Sequence, residues 1–173
     1  KIYNLNINTN SKNISNNIGF FATTDGAEIS NVTFVVGTEY SKVYVKDSEI
    51  KKEKLKDAAK LGELGIIVQN SDNIAQASRS LGVVSGYDKN SIFSNLGVEF
   101  ENAKIETNLE NVGVLVGSSS KSTFKNITIK TMANSNGALT IKKVASLKES
   151  NVGGLVGQIR SLENEIADIS ISN

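Results

Sequence analysis

A chain of 173 residues fits one domain, and its net charge of +1, from 19 Lys/Arg interspersed with 18 Asp/Glu, leaves no basic stripe for a phosphate backbone, so nucleic acid is not an expected partner. Cys and His are both absent, which removes disulfides, thiol nucleophiles, thiolate metal sites and imidazole chemistry; neither a metal, a cofactor nor a catalytic residue is expected. No apolar run approaches the ~20 residues that cross a bilayer, so membrane insertion is not expected either.

The opening stretch, Ile2-Tyr3-Asn4-Leu5-Asn6-Ile7, alternates like half of a repeat, with Leu5 and Ile7 facing inward. A chain that starts within a repeat is expected to be a piece of a longer one. The first complete copy follows: Gly19-Phe20-Phe21-Ala22, then Ile29-Ser30-Asn31-Val32-Thr33-Phe34. Tyr40 to Lys46 alternates like a strand. Residues 47–62 carry an Asp or Ser cap, strong helix formers and a terminating Gly62, which predicts a helical insert. Leu64-Gly65-Ile66-Ile67-Val68 reads as a degenerate copy of the glycine motif, and Ser71 to Ser80 as a second short helix.

Three further copies close the chain. Gly82-Val83-Val84-Ser85-Gly86 precedes Phe93-Ser94-Asn95-Leu96-Gly97-Val98, and Gly113-Val114-Leu115-Val116-Gly117 precedes Phe124-Lys125-Asn126-Ile127-Thr128-Ile129. Gly153-Gly154-Leu155-Val156-Gly157 precedes Ile166-Ala167-Asp168-Ile169-Ser170-Ile171. The leading Gly and the Asn or Asp lie 12, 13, 13 and 15 residues apart in the four copies. Between the last two copies, Asn134-Ser135-Asn136-Gly137 is a hairpin-type turn signal and Ala138 to Val144 alternates like a strand. Each repeat is therefore expected to hold a third strand or an outward hairpin.

In the asparagine motif, Val32/Phe34/Val36, Leu96/Val98/Phe100, Ile127/Ile129 and Ile169/Ile171 share one strand face and form a core. Asn31/Thr33, Asn126/Thr128 and Asp168/Ser170 share the polar face. Asn, about twice as frequent here as in ordinary soluble proteins, tolerates left-handed backbone and suits a fold full of corners. The glycine motif is apolar or small on both faces; Val112 to Gly117 reads as one strand buried on both sides, its glycines allowing close approach of a neighbouring layer. A single unit buries too few side chains to offset the entropy of ordering it, so units must stack. The expected fold is mainly β: a single β-solenoid, parallel β-helix-like, over residues 1–173 with the helical insert at 47–62. Its equivalent structural positions are Gly19, Asn31, Gly82, Asn95, Gly113, Leu115, Gly117, Asn126, Gly153, Leu155, Gly157 and Asp168.

Sites of chemistry are sparse. Gly117-Ser118-Ser119-Ser120-Lys121 lacks the Gly-Lys-Ser/Thr ending of a phosphate loop and reads as a solvated loop between turns of the chain. Glu163, Glu165 and Asp168, and separately Asp25 and Glu28, match no calcium-loop spacing and read as soluble loop residues. The glycosylation sequons at Asn13, Asn31 and Asn126 read as structural, and the lysines of 51–60 as a solvated face.

Asn151-Val152-Gly153-Gly154-Leu155-Val156-Gly157 and Asn111-Val112-Gly113-Val114-Leu115-Val116-Gly117 resemble the GLUG repeat, with looser copies at Asn17 to Ala22 and Ser80 to Gly86. GLUG repeats occur in large secreted or surface-attached bacterial proteins, among them immunoglobulin-A1-specific zinc metalloproteases and adhesin-like proteins. The resemblance implies architecture and an extracellular or cell-surface location. Protease chemistry does not carry over, because the His-Glu-x-x-His zinc motif needs histidine. The expected function is a non-catalytic module, monomeric as an isolated segment. It acts as a spacer or as a contact surface for a host or extracellular protein or glycan. The alternative is a polysaccharide-active β-helix lyase or hydrolase working through carboxylates and Lys.

Overall fold

The structure, a computed structural model, describes residues 1–11, 17–37, 40–46, 49–54, 65–70, 76–101, 103–131, 141–143, 150–160, 163 and 165–172. Those residues are mainly strand, with no helix among them, and four sheets are parallel throughout. The first sheet orders β1 (Ile2–Leu5), β5 (Thr33–Val36), β11 (Ile92–Phe100), β15 (Thr123–Thr131) and β19 (Glu165–Ser172), with β4 (Glu28–Ser30) also pairing β11. The second orders β2 (Ile7–Ser11), β8 (Gly65–Asn70), β12 (Lys104–Thr107) and β16 (Ile141–Lys143). In the third, β9 (Gln76–Leu81), β13 (Leu109–Gly113) and β17 (Asn151–Gly153) follow one another, and Ile18 bridges Leu81. The fourth holds β3 (Phe21–Asp25), β10 (Ser85–Lys89), β14 (Val116–Ser120) and β18 (Val156–Ile159). The chain visits the sheets in the order first, second, third, fourth, and then begins again.

This order keeps recurring residues in register. Asn111, Val112 and Gly113 pair with Asn151, Val152 and Gly153; Val98 pairs with both Phe34 and Ile129. Phe34, Val36, Leu96, Val98, Phe100, Ile127 and Ile129 are buried from the first sheet, and they meet Ile66, Ile105, Leu81, Leu109 and Leu115 from the other sides. Phe93 and Phe124 stack at 5.1 Å with an interplanar angle of 4°. Because parallel strands are paired along each sheet and covered within by these aliphatics, backbone polar groups are met by the turn before and the turn after.

The glycine motif is a corner, where one continuous strand was expected. β13 ends at Gly113, Val114-Leu115 bend, and β14 starts at Val116. A Cβ on Gly113 would collide with the Val116 carbonyl oxygen and lie 2.6 Å from Gly157 N, so the backbone turns and touches the next layer where no side chain fits. The bend faces inward, with Val114 and Leu115 buried, and this explains the apolar character of both sides of the motif. Corner amides bond one turn onward: Val83 N to Val114 O at 3.0 Å and Leu115 N to Leu155 O at 2.9 Å.

The insert also differs. Residues 49–54 of the expected helix form β7 (Glu49–Lys54), antiparallel to β6 (Tyr40–Lys46); residues 55–62 lie outside the described residues. Register sets Lys46 opposite Glu49, Val45 opposite Ile50 and Lys42 opposite Glu53. This pairing with a partner strand overrides local helix propensity. Of the second expected helix, residues 76–80 belong to β9 and pair with β13, a non-local partner that overrides propensity; 71–75 lie outside the described residues. Gly65 to Val68 is in the second sheet against β2 and β12, so it is no copy of the corner motif. Leu5 and Ile7 belong to different strands, β1 and β2. β16 supplies the third strand expected near 138–144, and the turn at 134–137 lies outside the described residues.

Spacing between corners is uneven in one arc only. From Asn17 to Asn31, Ser80 to Asn95, Asn111 to Asn126 and Asn151 to Asp168, through the third-to-first sheet side, the chain takes 14, 15, 15 and 17 residues. Returning through the second sheet, from Asn31 to Ser80, Asn95 to Asn111 and Asn126 to Asn151, it takes 49, 16 and 25.

Candidate contact surface

Asn31, Asn95 and Asn126 adopt φ of 57°, 54° and 55°, a left-handed kink midway along the first sheet. Asn is the non-glycine residue best suited to that conformation, because its short amide bonds locally. Here the amides bond each other. Asn126 Nδ2 donates to Asn95 Oδ1 at 2.9 Å, and Asn95 Nδ2 donates to Asn31 Oδ1 at 3.1 Å. Each amide has both a donor and an acceptor, so the row runs head to tail across three turns of the chain. The next register position is Asp168, between the pairs Lys125↔Ala167 and Ile127↔Ile169.

Beside this row the strands form a groove of about 490 Å³, lined by Thr33, Asn95, Leu96, Gly97, Glu99, Asn126, Thr128 and Lys130. Gly97 lies between Thr33 and Thr128 in register, and a Cβ there would approach Thr33 Cγ2 to 2.9 Å. The missing side chain leaves the notch. At one end, Glu99 accepts from Lys1 Nζ at 2.9 and 2.8 Å and pairs with Lys130 Nζ at 3.3 Å, its side chain only 7% exposed. Burial pushes the Glu99 carboxyl up, but the hydrogen bonds and charges of Lys1 and then Lys130 outweigh it and hold the group below the ordinary carboxylate range. The hydrogen bond that Lys1 donates to Glu99 raises the Lys1 amine in turn, against the opposing effect of burial. The surface thus offers hydroxyls, amide edges and one ion triad that pairs internally. These groups can donate and accept hydrogen bonds along the groove.

A second ladder runs along the third sheet. Ser80 N donates to Asn17 Oδ1 at 3.1 Å, Asn111 Nδ2 to Ser80 Oγ at 3.4 Å, and Asn151 Nδ2 to Asn111 Oδ1 at 2.8 Å. Asn111 is fully buried, so its amide must find partners within the protein. This ladder was not assigned from sequence, although its signal is there: Asn or Ser stands two residues before the leading Gly in all four copies. Asp88 carried no such signal. It is buried on the fourth sheet, accepting from Ser119 Oγ at 2.9 Å and Thr24 Oγ1 at 3.1 Å.

The structure sorts the remaining sequence candidates. Gly117 to Ser120 belong to β14 instead of a solvated loop. Ser118 and Ser119 are buried because Gln158 and Asp88 take their hydroxyls. Lys121 makes the corner, with φ 58°, and pairs with Glu163 at 2.9 Å. Asp25 accepts from Asn90 Nδ2 at 3.4 Å. The side chains of Glu165 and Asp168, and all of Asn13, lie outside the described residues. The Asn126 sequon amide is a rung of the first ladder. Gly82 repeats the contact of Gly113 one turn earlier, its Cβ position 2.7 Å from Gly117 N, and Gly19 lies 2.9 Å from Gly86 N in the same way. No group of three acidic residues able to hold a metal ion occurs among the described residues, and no helix among them is long and apolar enough to cross a membrane.

Comparison with protein-family models, with curated proteins and with solved structures finds no match to this chain.

Proposed function

We propose that the four parallel sheets are the sides of one β-solenoid of GLUG-type repeats, and that it is a non-catalytic module of a secreted or cell-surface bacterial protein, an adhesin or a protease. It works as a rigid spacer whose first sheet presents the asparagine-edged groove to an extracellular protein or glycan. One observation carries the reading: Asn95 donates one side-chain hydrogen bond to the turn before it and accepts one from the turn after. Equivalent residues of successive repeats therefore stand directly over one another, as stacking of GLUG-type units requires. The polar, shallow groove lies along the same face, so its lining repeats with the turns. Glu99, the carboxylate in that groove, is held ionised by two lysines, which favours pairing over the proton donation that a depolymerising enzyme needs.

The test is binding of the purified chain to immunoglobulins, matrix proteins and a glycan panel, with Thr128→Arg as the groove-filling variant. Thr128 is exposed, so the fold should survive. The expected result is a captured ligand whose affinity falls at least about tenfold in the variant, or ~1.4 kcal/mol. Equal binding by both proteins would move the contact surface off the groove, and depolymerisation of a polysaccharide would replace the reading by an enzymatic one.

A further inference from the structure

In the third and fourth sheets, the described rows run from Ile18 and β3 at one end to β17 and β18 at the other. Continuing the same winding would set the last turn of a second copy before the first turn of this one, with β18 beside β3 and Val152 beside Ile18. Such a head-to-tail contact does not close, so it would grow into a filament.

One register column of the fourth sheet stands in its way. Ala22 lies between the pairs Ser85↔Phe21 and Tyr87↔Thr23, level with Gly86, Gly117 and Gly157 of the later turns. Each of those glycines presses on the turn before it. A Cβ would lie 2.5 Å from Ile18 N at Gly86, 2.5 Å from Leu81 N at Gly117 and 2.6 Å from Val112 N at Gly157. These contacts fall on backbone, which cannot swing aside as a flexible side chain can. Ile18, Leu81, Val112 and Val152 are successive members of one column of the third sheet. A preceding copy would therefore bring Val152 N to the same place, against a residue that carries a methyl group. Ala22 itself is exposed, on the end strand of its sheet.

The first corner differs in a second way. Between Gly19 and β3 it holds Phe20 alone, where Val83-Val84, Val114-Leu115 and Gly154-Leu155 stand in the later turns. Phe20 lies edge-on to Phe34 at 5.3 Å and to Phe21 at 5.0 Å, and Phe34 is left 1% exposed. The opposite end has no such roof. Val152 and Ile166 continue the fully buried columns Leu81–Val112 and Phe93–Phe124, yet they are 51% and 46% exposed.

We propose that Ala22 is a stop against self-assembly: its methyl group bars the last turn of a second copy from stacking before the first turn of this chain. Phe20 supports it by replacing the two-residue corner on which that turn would seat. The apolar last turn thus finds no complement on another copy, which is the task of a capping unit in a repeat protein. This stop needs the stacked arrangement proposed above, and it is independent of what the groove binds.

Sedimentation velocity of the full chain from micromolar to millimolar concentration tests this, with A22G, A22S and A22G/V152E beside the wild type. The serine keeps a Cβ, and the glutamate puts a charge on the last-turn face at a half-exposed position. Wild type and A22S should form no open-ended series of oligomers. A22G should form one at protein concentrations at least about tenfold below any at which the wild type associates. Its circular dichroism spectrum should be unchanged, and adding V152E should abolish the series. An open-ended series from wild type or A22S, an A22G protein no more associated than wild type, or A22G oligomers that survive V152E would each overturn the proposal. If A22G loses its β spectrum, replacing Phe20-Phe21-Ala22 by the Val-Leu-Val-Gly of residues 114–117 restores the whole corner, and a monomer there would overturn it equally. Ligand binding with Thr128→Arg is read on the monomer, so it stands or falls separately.

Discussion

Asn126 hands its side-chain amide hydrogen to Asn95 across 31 residues of chain, and both residues hold the same left-handed backbone angle within two degrees. One side chain thus serves two needs that are usually met separately: a tolerable cost for the bend and a partner in the next turn. Asn95→Ala removes both. It should lower unfolding free energy by about 2–4 kcal/mol, from ~1–2 for left-handed strain and ~1–2 for two exposed hydrogen bonds. Asn95→Gly should cost less, since the bend survives. Urea denaturation of the two variants separates these contributions, and equal losses would show that the bend angle contributes nothing.

Backbone proximity at the inner corners makes a sharper contrast between glycines. Gly113→Ala would drive a methyl group into the Val116 carbonyl and towards Gly157 N, and should destabilise by more than about 3 kcal/mol or prevent folding. Gly26 has φ +64° but open space around its Cβ position, so Gly26→Ala should cost only the ~1 kcal/mol of left-handed backbone. Thermal melts of both proteins provide the check.

The Lys1–Glu99–Lys130 cluster ties stability to pH from both sides. The Glu99 carboxyl is lowered in the folded state, so its contribution is present above the unfolded glutamate value of about 4.3 and is lost as pH falls through the folded value. The Lys1 amine is raised, so its contribution is present at neutral pH and is lost as pH rises past the ordinary lysine range through the folded value. Glu99→Gln should therefore be less stable than wild type at pH 7, with the gap closing in acid below about pH 4. A gap that stays constant down to pH 2 would contradict the assignment.

Asp88 offers a test of the fourth sheet. Asp88→Ala strips the acceptor from the hydroxyls of Thr24 and Ser119 in a buried place and should cost about 2–4 kcal/mol. In Asp88→Asn one oxygen remains, and a hydroxyl can rotate to accept from the new amide, so about 1 kcal/mol is expected. The order of the two losses, read by chemical denaturation, is the discriminating result.

Much of this architecture is legible in the sequence because its repeating residues are irreplaceable for local reasons. Gly113 and Gly153 recur where backbones touch, and Asn31, Asn95 and Asn126 where the chain bends left-handed, so spacing alone aligns them. Alternation cannot reveal a corner that is buried on both sides, which is why Val112 to Gly117 reads as one strand. Residues 49–54 read as helix because Lys and Glu favour it locally, whereas the deciding pairs with Lys42, Val45 and Lys46 lie across a hairpin. Least legible is the groove. Glu99 meets Lys1 across 98 residues, and its notch depends on Gly97 falling between two threonines from other turns. Those coincidences exist only once the register is known.

The unequal arcs have a practical consequence. The side that runs through the third, fourth and first sheets keeps nearly one length because both ladders and the glycine contacts lie on it. The return through the second sheet already takes anything from 16 to 49 residues between the same two corners. That return is the permissive edge for grafting: foreign peptides spliced there should leave both ladders and the glycine contacts in place.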